Sequence, residues 1–166
     1  MAAVSGFAQT SVPEIKDSQA VVITFWRSGG MGGDGPTYLL TISGDGTVQY
    51  EGRAGVFVRG KRTGHISNSA VKQLVEEFRK AHFFELQDSY SSHATDLPGR
   101  VVTLQAGPIK KHVVDLGFHD SGADSPDGFL SGAPQSLIEL ENRIEVLANV
   151  RRWVKGHWFQ RLFHWH

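Results

Sequence analysis

The chain has 166 residues, with 17 basic and 17 acidic side chains and no cysteine. This length suits a single domain with its own core, and the balanced charge argues against a general nucleic-acid binder, which needs a basic surface. The absence of cysteine excludes disulfides, thiolate catalysis and cysteine-ligated zinc. The chain starts without a signal-peptide pattern and contains no apolar stretch long enough to span a bilayer, so a cytoplasmic location is expected.

A small, polar beginning precedes the predicted domain. We expect residues 1–19 to form an N-terminal arm. Residues 20–27 follow as a nearly continuous apolar run, which predicts a first strand with both of its faces covered. A glycine-rich loop then leads to the next strands. Residues 20–154 are expected to form one domain, and residues 155–166 a separate aromatic and basic segment.

The strongest pattern in the chain is the stretch PTYLLTISGDGTVQYEG at residues 36–52. Residues 38–42 and 47–50 alternate between apolar and polar side chains, which is typical of half-buried strands. The run Gly44-Asp45-Gly46 separates them, and Asp-Gly supplies the positive φ angles of a tight primed hairpin turn. The stretch therefore predicts a β-hairpin.

The next part of the chain predicts more strand structure and then a helix. The run RAGVFVRGKRTGHI at residues 53–66, in which Val56 and Val58 alternate around Phe57, predicts one more strand or a pair of strands. Ser67 has the position of a helix N-cap, and the helical spacing of apolar residues predicts a helix near residues 67–85. The stripe expected to face the core consists of Val71, Leu74, Val75, Phe78 and His82.

The second half of the chain predicts another hairpin and another helix. Its segments are a polar loop (88–99), two strands (100–105 and 110–116), a surface loop (118–133) and a helix near 134–152. Pro134 suits the first turn of that helix, and Glu139 is placed to pair with Arg143 one turn later. The apolar stripe of this helix consists of Leu137, Leu140, Ile144 and Leu147.

The order of these elements predicts the fold class. The succession β-β-β-β-α-β-β-α, with short turns between strands, favours an antiparallel sheet with two helices packed on one face. This is an α+β fold. We expect one core that contains Tyr38 or Leu40, Val48, Phe78 and Leu140.

Five motifs follow one another along the chain: PTYLLTISGDGTVQYEG, VKQLVEEFRKAHFFEL, TDLP at 95–98, VVDL at 113–116 and LIELENRIEVLANVRRW. In this order they resemble a bacterial family of small uncharacterised α+β domains, over residues 21–153. Members of that family commonly carry Cys-x-x-x-Cys-Pro-x-Tyr before the first hairpin. Here GGMGGDGPTY keeps Pro36 and Tyr38 but neither cysteine, so the resemblance implies the fold and no redox or metal role for this segment.

Two catalytic or cofactor patterns occur without their usual context. Gly30, Gly32 and Gly35 have the dinucleotide-binding spacing, but Pro36 and a strand follow where a helix is required. The loop at residues 88–96 contains the residue types of a hydrolytic triad, yet no nucleophile elbow surrounds its serines. Those residues are Asp88, Ser91, Ser92, His93 and Asp96. We expect neither pattern to act, and a hydrolase that uses the His93 loop is the alternative function.

The histidines do not form a metal-binding pattern. No H-E-x-x-H motif occurs, and residues 124–128 lack the acids of a calcium loop. His112, His119, His164 and His166 are expected to lie on the surface. No metal and no cofactor are predicted.

The C-terminal segment carries an unusual set of aromatic and basic residues. Past Gly156 a helix would group its large apolar side chains on one face, where aromatic and Arg side chains often anchor interfaces. The candidate partner-binding residues are Trp158, Phe159, Arg161, Leu162, Phe163 and Trp165. Trp153 is expected to close the core, and the remaining aromatics either fold back on the sheet or face a partner.

These observations favour a non-catalytic binding or assembly module. Neither catalytic or cofactor pattern has the neighbouring structure that its chemistry requires, whereas the C-terminal segment has the residue types of an interface. We expect an accessory subunit that docks through this segment to a larger protein complex, and Trp beside basic residues also suits a complex at a membrane surface. No nucleic-acid partner is expected.

Overall fold

The computed structural model describes residue 15 and residues 17–30, 35–91, 97–117 and 132–155. The strands are β1 (Val21–Ser28), β2 (Thr37–Ser43), β3 (Thr47–Ala54), β4 (Gly60–His65), β5 (Ser89–Ser91), β6 (Gly99–Ala106) and β7 (Ile109–Leu116). The helices are α1 (Asn68–Lys80), α2 (Gln135–Leu147) and α3 (Arg151–Val154), with short 3-10 turns at Ser18–Ala20 and Phe83–Glu85.

The strands form one seven-stranded sheet in the order β4-β3-β2-β1-β6-β7-β5. All neighbouring strands are antiparallel except β5 and β7, which are parallel. The predicted α+β fold is confirmed. The loop prediction for residues 88–99 is wrong at Ser89–Ser91, because pairing with the edge of β7 makes a strand of a polar segment whose side chains alone do not indicate one.

Helix α1 must cross the whole sheet. Strands β4 and β5, which α1 separates in the chain, lie at opposite edges. Seven strands span about 29 Å, whereas the 13 residues of α1 span about 20 Å. The 3-10 turn at Phe83–Glu85 and the residues after it cover the remaining distance. This path places one face of the sheet under α1.

The core lies on the helix-covered face. In β1, Val21, Ile23 and Phe25 are buried, whereas Val22 on the other side is 37% exposed, so the expectation of two fully covered faces is wrong. The predicted common core is confirmed. Its large buried members include Tyr38, Leu40, Val48, Phe78, Leu104, Leu137 and Leu140.

Both helices end earlier than predicted. Helix α1 stops at Lys80, and His82 has a left-handed φ of 49° and is exposed, so it does not belong to the apolar stripe. A left-handed residue commonly ends a helix. The second helix is split in two because Asn149 has a φ of 51°. Pro134 precedes α2 as its N-cap instead of lying in the first turn.

Three local predictions differ from the structure. Of the three turn residues Gly44, Asp45 and Gly46, only Gly46 has a positive φ, 89°, and its N–H donates to the Ser43 carbonyl. This is a type I turn with a left-handed glycine rather than a primed turn. The further strand predicted within residues 53–66 is present as β4, but residues 55–59 connect β3 to β4 and are not a strand. Glu139 accepts from Gln135, so the predicted pairing with Arg143 is wrong.

Candidate functional site

A row of polar side chains crosses one end of the core face. Tyr38 stands opposite Arg27, Arg27 opposite Arg100, and Arg100 opposite Asp115. Directly opposite residues point to the same side of a sheet. These four residues continue the buried positions of β2, β1, β6 and β7, so the row lies under the helices rather than on the open face.

Helix α2 supplies the partners for this row. Glu141 and Glu145 are one helical turn apart and therefore share a side of the helix. Arg27 Nη1 lies 2.5 Å from Glu145 Oε1, and the Tyr38 hydroxyl donates to the same oxygen. Arg100 Nη1 donates to Glu141 Oε2 at 2.9 Å. Two Glu–Arg pairs thus fix the position of α2 on the sheet.

Burial changes the ionisation of this cluster. Glu141 is 1% exposed, and burial raises its pKa to about 8, with the nearby Asp115 and Glu145 carboxylates adding to the rise and Arg100 opposing it. Burial, followed by the charge of Glu145, also raises the pKa of the Tyr38 phenol well above its ordinary value. Tyr38 is therefore a neutral donor near pH 7, and Glu141 holds its proton more tightly than an exposed glutamate.

The outer half of the row opens into a cleft of about 750 Å³. The cleft lies between the end of β1, the start of β2, the last turn of α2 and α3. Arg27 and Glu145 contribute to its lining and are 28% and 19% exposed through their side chains. Its volume falls within the range of small-ligand pockets, about 300–1,000 Å³.

The opposite wall of the cleft combines apolar and cationic residues. Val146, Val150 and Val154 form its apolar part, and Val146 is 65% exposed. Arg151 and Lys155, one turn apart on either end of α3, are exposed and lie beside it. The cleft therefore has a neutralised floor, an apolar wall and a positively charged rim.

Helix α3 is held firmly against the sheet. The N–H groups of Phe57 and Val58 donate to the carbonyls of Val154 and Trp153 at 3.0 and 2.8 Å. The buried Trp153 ring stacks on Tyr50, with centroids 4.8 Å apart and an interplanar angle of 25°. The rim of the cleft is therefore preformed by backbone and aromatic contacts.

A glycine in β4 makes this packing possible. A Cβ atom at Gly64 would lie 2.0 Å from Arg152 Nη2 and 3.1 Å from the Trp153 ring. The Arg152 guanidinium in turn lies 4.0 Å from the centroid of the Trp153 ring, a cation–π distance. A larger residue at position 64 would force the Arg152 guanidinium to move and would crowd the Trp153 ring.

A comparison with protein families matches residues 21–148 to a model described as Domain of unknown function (DUF6438). The chain belongs to the DUF6438 family. This confirms the resemblance that the motif order indicated. The DUF6438 region includes the whole polar row and both glutamates of α2, whereas Arg151, Trp153 and Lys155 follow it. No curated protein matches the chain.

The predicted partner-binding residues, Trp158, Phe159, Arg161, Leu162, Phe163 and Trp165, lie outside the described residues. So do Gly32, Ser92, His93, Asp96, His119, His164, His166 and residues 124–128. Among the helices that the structure describes, none has the length and apolar content needed to cross a bilayer. The division into an arm, a domain and a C-terminal segment stays a prediction.

Parts of the two rejected motifs are visible. Strand β2 begins at Thr37, shortly after Gly35, so a strand stands where a dinucleotide site needs a helix. Lys111 Nζ lies 2.5 Å from Asp88 Oδ1, and this ion pair lowers the pKa of Asp88. In the described part of the chain, His, Asp and Glu side chains nowhere form a group of three that could hold a metal ion.

The sequence contained a sign of the polar row, because charged residues occupy strand positions that the alternating pattern assigns to the core face. Arg27 occupies the same strand face as Ile23 and Phe25, and Arg100 the same face as Val102. A charged residue at a buried position needs a charged partner. Glu141 lies beside Leu140 in α2, on the side assigned to the core. Pairing these residues required knowledge of how α2 lies on the sheet.

Proposed function

We propose that this chain is a non-catalytic binding or assembly module. In this proposal it is an accessory subunit of a larger protein complex, a membrane-bound complex being one candidate, and it docks through its C-terminal segment. The same proposal places it in the cytoplasm, peripheral to the membrane in that case. It needs neither a cofactor nor a nucleic-acid partner.

The observation that carries the proposal is the position of Trp153. Its buried ring stacks on Tyr50, and the carbonyls of Trp153 and Val154 accept hydrogen bonds from the β3–β4 connection. Among the described residues Trp153 is the last member of the core, and four more aromatics follow it in the sequence. Those aromatics are Trp158, Phe159, Phe163 and Trp165, and Arg161 and Leu162 lie among them.

The energetics favour several aromatics acting together. Burying one large apolar side chain contributes about 1.5–3 kcal/mol, whereas association costs several kcal/mol. Two or three aromatics docked together therefore outweigh the cost, and one does not. Arg161 adds attraction to an acidic protein surface or to anionic lipid.

Deletion of residues 157–166 tests the proposal. We expect the truncated protein to keep nearly the melting temperature of the full chain, because the core closes at Trp153. It should no longer be recovered in the high-mass or membrane fraction that holds the full chain, when both are expressed with the same tag in the native host. Light scattering of the purified assembly, compared with the chain's own 18.3 kDa, measures the difference.

Two matched substitutions separate anchoring from folding. Trp158→Ala combined with Trp165→Ala should release the protein without lowering its melting temperature, whereas Gln160→Ala combined with His164→Ala should do neither. Trp153→Ala should lower the melting temperature and serves as the folding control. A truncated protein that melts much earlier yet stays with its complex would disprove the anchor.

A further inference from the structure

The cleft beside α3 is positively charged at its rim although the whole chain is neutral. Four charged side chains line it, and Arg27 and Glu145 neutralise one another through their 2.5 Å contact. Arg151 and Lys155 remain, and within the part of the chain that the structure describes neither forms an ion pair. The cleft therefore presents two uncompensated cations to an occupant.

The same place concentrates exposed apolar surface. Among the described residues, three large apolar side chains are exposed: Val22, Phe57 and Val146. Val146 lines the cleft, and the 66% exposed Phe57 bonds through its N–H to the carbonyl of Val154, another lining residue. Exposed apolar residues gathered beside a concave surface mark interaction sites more often than isolated ones do.

We infer that this cleft binds a short acidic peptide segment of a partner protein, with carboxylates on Arg151 and Lys155 and an apolar side chain against Val146. Charge complementarity decides between occupants. The chain's own residues 156–166, GHWFQRLFHWH, contain no Asp or Glu side chain and include Arg161, so they complement a cationic rim poorly. A concave site of about 750 Å³ also suits a side chain better than a flat bilayer.

This inference goes beyond the proposed anchor, because it assigns a second contact to the folded domain. The walls are preformed: Asn149 adopts its left-handed turn, the Val150 N–H bonds to the Glu145 carbonyl at 3.1 Å, and α3 is tied to the β3–β4 connection. A peptide therefore meets a site that needs little ordering, which favours binding by a short segment.

Fluorescence anisotropy with the full chain tests the inference. The probe is a fluorescein-labelled peptide of sequence EELEFLEE, with QQLQFLQQ and EESESSEE as matched controls that lack the charge or the apolar side chains. We expect saturable binding of EELEFLEE with a dissociation constant on the order of 10–100 μM. Both control peptides should bind about tenfold more weakly, and added salt should weaken the first probe most.

Charge reversal of the rim is the decisive variant. Arg151→Glu with Lys155→Glu should weaken EELEFLEE binding about tenfold or more and create binding of KKLKFLKK. The matched control, Lys61→Glu with Lys110→Glu, changes two exposed cations of β4 and β7 away from the cleft and should change neither. All four positions are exposed, and circular dichroism checks that both proteins remain folded.

Several results would overturn the inference. The first is that EELEFLEE does not bind, and the second is that the control variant loses as much peptide affinity as the charge-reversed one. The third is that the protein binds phosphatidylglycerol vesicles through Arg151 and Lys155 but does not bind the peptide. The inference would also fail if the wild type formed a dimer that charge reversal dissociates. It would fail as well if the peptide bound only after deletion of residues 157–166. Peptide binding by that truncated protein equal to the full chain supports the inference, even if the anchor proposal fails.

Discussion

The two long helices attach to the same sheet by different chemistry. Helix α1 buries only apolar side chains, and its Phe78 meets Phe83 edge to face with ring centroids 4.9 Å apart. Helix α2 buries Leu137, Leu140 and Ile144 as well, but it adds Glu141 to them and places Glu145 on Arg27. Apolar packing holds α1 against the sheet, whereas α2 is held by apolar packing and by its two Glu–Arg contacts.

This difference sets how each helix responds to change. Apolar contacts are stabilised by area and packing, so residues of similar size can replace one another at modest cost. A buried carboxylate must keep its partner, because an unpaired charge in the core is costly. The polar row therefore specifies where α2 lies, whereas the apolar contacts mainly hold it there. Three predictions test this comparison.

The largest effect is expected in the apolar contact of α1. Phe78→Ala should lower the free energy of unfolding by about 3–5 kcal/mol, since it removes a buried ring and leaves a cavity. Urea denaturation measures the change. Phe57→Ala, at an exposed position, is the matched control and should cost less than about 0.5 kcal/mol. Equal effects of the two substitutions would contradict the core assignment.

The second prediction concerns the buried pair under α2. Arg100→Leu should destabilise the protein by about 1–3 kcal/mol, because the buried carboxyl of Glu141 loses the donor that contacts it at 2.9 Å. Adding Glu141→Leu should recover part of that loss, since the carboxyl group that Arg100 contacts is then absent, while the buried Asp115 opposite position 100 remains. If the double variant is as unstable as the sum of both single variants, the two side chains do not depend on one another.

The third prediction is a pH dependence of stability. The pKa of Glu141 rises from 4.5 to about 8 on folding. The protonated group therefore contributes stability that is fully present below about pH 4.5 and is lost as pH rises through about 8. The loss should be on the order of 1–3 kcal/mol, since relaxation and water entry ease the penalty of a buried ion. Unfolding of Glu141→Gln at several pH values should lack this component, and an unchanged profile would disprove it.

Much of the fold followed from local pattern. The hairpin at 36–52, the N-cap at Ser67 and the apolar stripes of both helices each depend on residues near in sequence, and the structure has them. Some errors were local, such as the turn type at Gly46 and the partner of Glu139, and others depended on contacts made by folding. Strand β5 exists because β7 offers an edge, and His82 leaves the helix as Phe83 turns inward to Phe78.

The sequence by itself determined the alternation and spacing that make strands, helices and a common core, because these arise from the fixed geometry of neighbouring residues. It also carried the charged residues of the core face, the half-buried Arg27 and Arg100 and the buried Asp115, in their strand positions. Only the tertiary structure decided which of them meet. The cross-strand register and the placement of α2 bring Glu145 to Arg27 and Glu141 to Arg100 over separations of 118 and 41 residues. The cleft exists for the same reason, since its walls come from parts of the chain that only folding brings together.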